Sequence, residues 1–287
     1  MSRPLLAVGF VLYVLGFLGC EAGNGGPAMT APTAVTDASG HVPAGYELVW
    51  NDEFDYTGLP DSNRWGYQVG GHGWTAKEMQ MYTKADPTNV NVADGKLSLT
   101  LRPNPEAGAR NPFTSARLVT NDKAQFERGY FEFRAKFPAG QGLRSALWMV
   151  GDTVSTLGWP EAGEIDVIEH YGSIPDVVTA AVQTPALYWS KKGQIGKSVK
   201  VPTATTDFHV YGLEWTADQL TVAVDGTPFY AYNRRNDASG YTWPFDWPFY
   251  LALNVSAGGI RGAAKNGVAR DLGPSTLEVD YVRVYQR

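Results

Sequence analysis

Gly158-Trp159-Pro160-Glu161-Ala162-Gly163-Glu164-Ile165-Asp166-Val167-Ile168-Glu169-His170-Tyr171-Gly172 is the stretch on which the rest of the chain is read. Its second half is rich in β-branched residues and reads as a strand. Successive side chains of a strand point to opposite faces, so Glu164 and Asp166 share one face. Unbroken alternation would turn Glu169 toward the apolar side, where an ionised carboxylate is costly. One extra residue at Val167-Ile168, a β-bulge, resets the alternation and returns Glu169 to the face of the other two acids. The expectation is a bulged strand with three carboxylates on one face.

Like charges held this close raise at least one pKa, leaving a protonated acid beside an ionised one. A retaining glycosidase needs that state: one carboxylate attacks the anomeric carbon while a carboxylic acid protonates the leaving oxygen. The string Glu-x-Asp-x-x-Glu alone is equally compatible with a calcium-binding patch or a solvated acidic strand. Its setting favours chemistry, because Trp148 and Trp159 lie just upstream and Gly163 abuts the first acid.

Working outward, period-two alternation dominates after residue 45. Leu97, Leu99 and Leu101 alternate with Ser98 and Thr100, and Leu220, Val222 and Val224 run into the hairpin signal Asp225-Gly226. Leu277, Val279 and Tyr281 repeat the pattern. No long amphipathic helix stands out, and 32 Gly and 18 Pro punctuate the short strands, so the fold class is all-β. In Gly129–Ala135, Phe131, Phe133 and Ala135 suit a core, while Tyr130, Glu132 and Arg134 point the other way. By itself that second, polar and aromatic-bearing face suits either a sugar-lined groove or a plain solvated sheet surface, with the strand alone favouring the latter. The chain has 24 basic and 29 acidic residues with no basic run, which argues against a nucleic-acid partner.

The N-terminus reads as an address. Arg3, the apolar run Leu5 to Leu18, and Gly19-Cys20 describe a secretory signal too short for a membrane span. Cys20 is the sole cysteine, so no internal disulfide forms, and Phe17-Leu18-Gly19-Cys20 resembles a lipobox with Phe17 in place of the usual Leu. The expected organisation is a signal over 1–20 with Cys20 lipidated, a Gly/Ala/Thr/Pro-rich tether over 21–44, and a catalytic domain over 45–287. An exported lipoprotein held at the cell envelope follows, since more than one acyl chain gives stable anchoring. Mass spectrometry of the mature N-terminus is expected to find an acylated Cys20; an unmodified chain starting beyond residue 20 would contradict it.

Several collinear segments resemble glycoside hydrolase family 16, and within it the laminarinase-like endo-β-1,3-glucanases. They are Leu48–Phe54, Gly73–Thr83, Thr114–Arg117, Gly129 to Pro138, Gly158-Trp-Pro with Gly163 and the acid cluster, and Glu278–Tyr285. The resemblance implies a curved β-jelly-roll sandwich with a concave substrate cleft, acting as a monomer on a β-glucan. It assigns Glu164 as nucleophile, Glu169 as general acid/base, and Asp166 as the residue that steers protonation. It makes Glu132 and Arg134 sugar ligands, reversing the reading of that strand alone. Trp159 would stack on a glucose near the cut, with Trp148 and Asn254 lining the same region. No cofactor is required for catalysis; the family's structural calcium, bound on the convex side through backbone carbonyls and one Asp, would fall to Glu53, Gly95 and Asp280.

The chain departs from the laminarinase-like pattern at Gln183, where His is usual, at Trp247, where Gln is common, and at Ile260 and Arg261. These positions bear on substrate and leave the acid cluster intact. Competing expectations are a mixed-linkage glucan or marine galactan as substrate, glycosyl transfer to a sugar, and a non-catalytic glucan-binding lipoprotein.

Overall fold

The computed structural model describes residues 40–287 except 75–76, 107, 189–194, 237–238, 260–266 and 270. The expected signal, Cys20, most of the tether, Ile260 and Arg261 therefore lie outside the described residues.

In chain order the strands are β1 (Glu47–Asp52), β2 (Gly66–Tyr67), β3 (Gln80–Tyr82), β4 (Val90–Ala93), β5 (Lys96–Pro103), β6 (Phe113–Ser115), β7 (Arg117–Val119), β8 (Gly129–Lys136) and β9 (Leu143–Gly151). After a single turn of helix, α1 (Val154–Leu157), come β10 (Glu164–Tyr171), β11 (Val177–Gln183), β12 (Ile195–Lys200), β13 (His209–Trp215), β14 (Gln219–Val224), β15 (Thr227–Asn233), β16 (Phe249–Ala257) and β17 (Ser275–Gln286). They form two sheets. One has ten strands in the order β15-β14-β13-β8-β17-β5-β6-β3, with β1 on β17 and β4 on β5. The other has seven, in the order β12-β11-β10-β9-β16-β7-β2.

The core lies between the sheets and follows from the alternation. Phe131 and Phe133 of β8, Leu97 and Leu99 of β5, Leu213 of β13, and Val282 and Val284 of β17 face inward from the larger sheet. Leu147 and Met149 of β9, Ile165 and Ile168 of β10, and Leu251, Leu253 and Val255 of β16 meet them from the smaller sheet. Burial of this continuous apolar layer drives the pairing of the sheets.

Strand β10 carries the expected bulge. Against β9, Asp166 pairs with Trp148 and Ile168 with Leu147, so Val167 is the extra residue. Against β11 the register shifts between Asp166 and Glu169. Val167 and Ile168 are both fully buried. The bulge thus keeps two apolar side chains in the core and sends the following carboxylate out of it.

Candidate active site

The outer face of the seven-stranded sheet is assembled by register. Glu164 sits opposite Val150 and Gln183, Asp166 opposite Trp148 and Ala181, and Glu169 opposite Ala146 and Thr179. Asn254 of β16 pairs with Ala146 of β9, and Arg117 of β7 with Asn254. One face therefore presents Arg117, Asn254, Trp148, Arg144 and all three acids.

Each acid is held by a different neighbour. The Trp159 indole N–H donates to Glu164 Oε2 at 3.0 Å. The Trp159 ring stands edge-on to Tyr188, with centroids 5.2 Å apart. Trp159 is brought there by a tight loop before β10, braced by the Trp247 indole N–H donating to the Ala162 carbonyl at 3.0 Å. At Gly163 φ is +77°, and a Cβ there would lie 2.7 Å from the Pro244 carbonyl oxygen, so only glycine fits beside Glu164. The Gln183 amide donates to Asp166 Oδ2 at 2.9 Å. Trp148 donates its indole N–H to Asn254 Oδ1 at 2.8 Å, which fixes both side chains.

Glu169 is gripped by Arg144. The guanidinium donates through Nε to Glu169 Oε1 at 2.9 Å, and through Nη2 to the same oxygen. The Tyr171 hydroxyl lies 3.4 Å from that oxygen. Behind Arg144 stands Glu78, whose Oε1 accepts from Arg144 Nη1 at 3.4 Å. Its Oε2 accepts from Gln80 at 2.7 Å and faces Arg117 Nη2 at 3.5 Å. The ordered chain is Glu169–Arg144–Glu78–Arg117, with opposite charges alternating along it.

The electrostatics differentiate the acids. Burial, offset by Arg144 and reinforced by the Glu169 charge, pushes the Glu164 carboxyl up to about 6, with bonds from Asp166 and Trp159 pulling it back. Asp166 is raised well above the usual carboxylate range, first by burial and then by the charges of Glu164 and Glu169. Asp166 thus holds a proton more readily than an ordinary carboxylate and shares a hydrogen bond with Glu164 that favours the ionised form of the latter. Arg144, flanked by Glu169, Tyr171 and Glu78, remains charged throughout.

Two expected sugar ligands lie elsewhere. Glu132 and Arg134 belong to β8 of the ten-stranded sheet, and their inward neighbours Phe131 and Phe133 occupy the core. Both point to the opposite outer surface of the sandwich from the acids. Glu132 is buried there, between β17 and β13 on a face bearing Tyr130, Tyr281 and Arg283. Arg134 pairs with Asp280. The physical reason is that strand alternation gives a face but not a sheet, so a polar aromatic face suited either surface.

The residues expected to hold calcium fall on the same sheet, at the end of β1 (Glu53), the β4–β5 turn (Gly95) and β17 (Asp280). The Asp280 carboxylate is committed to Arg134, and that of Glu53 to Arg283 at 2.8 Å. Among the described residues no group of three or more His, Cys, Asp or Glu side chains is arranged to hold a metal ion. The one side chain expected to bind calcium, Asp280, is thus engaged by a guanidinium, and no role is derived from the ion.

Arg144 and Glu78 escaped the sequence reading. The usable signal was a lone arginine on the face of β9 that also carries Ala146 and Trp148, between the inward Leu143 and Leu147. Gln183, which reads in sequence as a departure, is an integral member of the site through its bond to Asp166.

The model of the family described as "Glycosyl hydrolases family 16" matches residues 76–283. The chain is 46% identical over 247 residues to a beta-glucanase of Rhodothermus marinus, a match spanning 84% of this chain and 85% of that protein. It is 34% identical over 264 residues to glucan endo-1,3-beta-glucosidase A1 of Niallia circulans, covering 85% of this chain and 38% of that larger protein. The crystal structure of the laminarinase from Rhodothermus marinus superposes with a TM-score of 0.80 at 45% identity, over 84% of this chain and 97% of that one.

Proposed function

The chain belongs to glycosyl hydrolase family 16, and from that premise we propose that it cuts β-1,3-linked glucan internally, by double displacement with retention of configuration. The observation that carries this reading is the bulge in β10, which sets Glu164 and Glu169 on one face beside Trp159 and Trp148. The names of the relatives, a beta-glucanase, an endo-1,3-beta-glucosidase and a laminarinase, support a β-1,3-glucan as substrate.

In the first step a Glu164 carboxylate oxygen attacks the anomeric carbon. The bond from that carbon to the bridging oxygen breaks, and the bridging oxygen takes the proton of Glu169. Trp159 and Asp166 orient Glu164 through their hydrogen bonds and disperse its charge. In the second step water attacks the same carbon and gives its proton to Glu169, and the ester to Glu164 breaks. Two inversions leave the configuration unchanged. Trp148, pinned by Asn254, offers an aromatic edge of the cleft, and Trp159 presents its ring beside the nucleophile.

The test is digestion of laminarin, cellulose, a mixed-linkage glucan, agar and carrageenan, with proton NMR of the first product. Laminarin is expected to yield oligosaccharides of mixed length early, with the β anomer appearing before mutarotation. An α anomer appearing first sinks the mechanism. Degradation of a galactan with laminarin untouched overturns the substrate while leaving the family intact.

A further inference from the structure

Glu169 has to alternate between acid and carboxylate in each catalytic cycle, yet its Oε1 is engaged by two N–H groups of a guanidinium. An arginine beside a carboxylate favours the ionised form. The charged and titratable groups around Glu169 are few among the described residues. Glu164, Asp166 and Tyr171 lie on its own strand, and Arg144 faces it from β9. The facing positions of β11, Thr179 and Gln183, and of β16, Asn254 and Ser256, bear no charge. Glu78 reaches Arg144 from the segment before β3 and is itself tied to Arg117 of β7.

The carboxylate of Glu78 is 3% exposed and competes with Glu169 for the same guanidinium. The Ser256 hydroxyl donates to the Arg144 carbonyl at 3.2 Å, tying its backbone to β16. The arginine is thus held from behind and divided between two carboxylates, one catalytic and one not.

We propose that Arg144 is a positioning residue for the general acid/base, aiming Glu169 and, under the counterweight of Glu78, setting the pH window in which Glu169 carries its proton. This rests on the double-displacement reading above. Arg144 favours the form of Glu169 that activates water in the second step, and Glu78 moderates that preference so that the proton needed in the first step is still held. The two residues therefore act on the window in opposite directions.

The experiment is the pH dependence of kcat/KM on laminari-oligosaccharides for wild type, Arg144→Met, Arg144→Lys and Glu78→Gln, with thermal melting of each. Arg144→Met removes the charge from Glu169 and, more weakly, from Glu164, so the whole bell is expected to move to higher pH by about one unit or more. Arg144→Lys restores charge without the two-pronged contact, and is expected to return the bell toward wild type with a lower maximum. Glu78→Gln releases Arg144 to Glu169 and is expected to move the bell to lower pH. If the arginine variant does not fold, the Glu78 shift alone decides the matter. A bell that stays in place while rates fall equally at every pH overturns the inference, because a purely structural arginine lowers activity without moving the window. Wild-type protein inactive on every glucan at any pH would instead sink the double-displacement reading itself.

Discussion

Replacing Glu164 with Gln is expected to lower laminarin hydrolysis on the order of 10⁴- to 10⁶-fold, the scale seen when a covalent nucleophile is removed. The amide keeps the volume of the side chain, and its oxygen can still accept from the Trp159 indole that now reaches Glu164 Oε2. Turnover is lost because an amide cannot form the glycosyl ester. The fold is expected to gain rather than suffer. The folded carboxyl sits at about 6, above its ordinary 4.5, so the native state holds a proton that the unfolded chain has already lost between those values. Stability of the wild type therefore falls as pH rises through that window, and the variant escapes that loss. Melting at pH 8 is expected to match or exceed wild type, with no such gain at pH 4. A variant that retains full activity removes Glu164 from the mechanism, and one that melts far below wild type at pH 8 contradicts the burial argument.

Truncating Glu169 to Ala is expected to slow laminarin cleavage by about 10²- to 10⁴-fold, the usual contribution of a positioned proton donor. The loss should shrink on an aryl β-glucoside with an acidic leaving group, which departs without a proton. Once the sugar is esterified to Glu164, water attack lacks its base. Added azide needs none, so it is expected to restore turnover and to yield the β-glycosyl azide. An α-azide, or no rescue together with an equal loss on both substrates, would falsify Glu169 as acid/base. Truncation also frees Arg144, which keeps Glu78 as partner, so no unpaired buried cation is left behind.

Much of the site was legible because it is local in sequence. Glu164, Asp166, the bulge and Glu169 lie within one strand, and their placement follows from a period of two interrupted once. Trp159 could be paired with Glu164 on proximity alone, since they lie five positions apart across a tight loop. The partners that tune the acids were not legible in this way. Arg144 meets Glu169 across a strand boundary, Gln183 meets Asp166 after a further turn, and Glu78 comes from a segment 91 positions before Glu169.

The sequence by itself determined an all-β chain, a bulged strand with three acids on one face, and the tryptophans beside them. Those features depend on alternation and on neighbours a few residues apart, which any strand must obey. Only the tertiary structure decided which of two sheets each polar face belongs to. It sent Glu132 and Arg134 to the surface opposite the acids, where Arg134 neutralises Asp280. It also decided that Glu169 meets a guanidinium shared with Glu78. The alternation of β8 was compatible with either outer surface, and strand order is settled by how the two apolar layers close on one another.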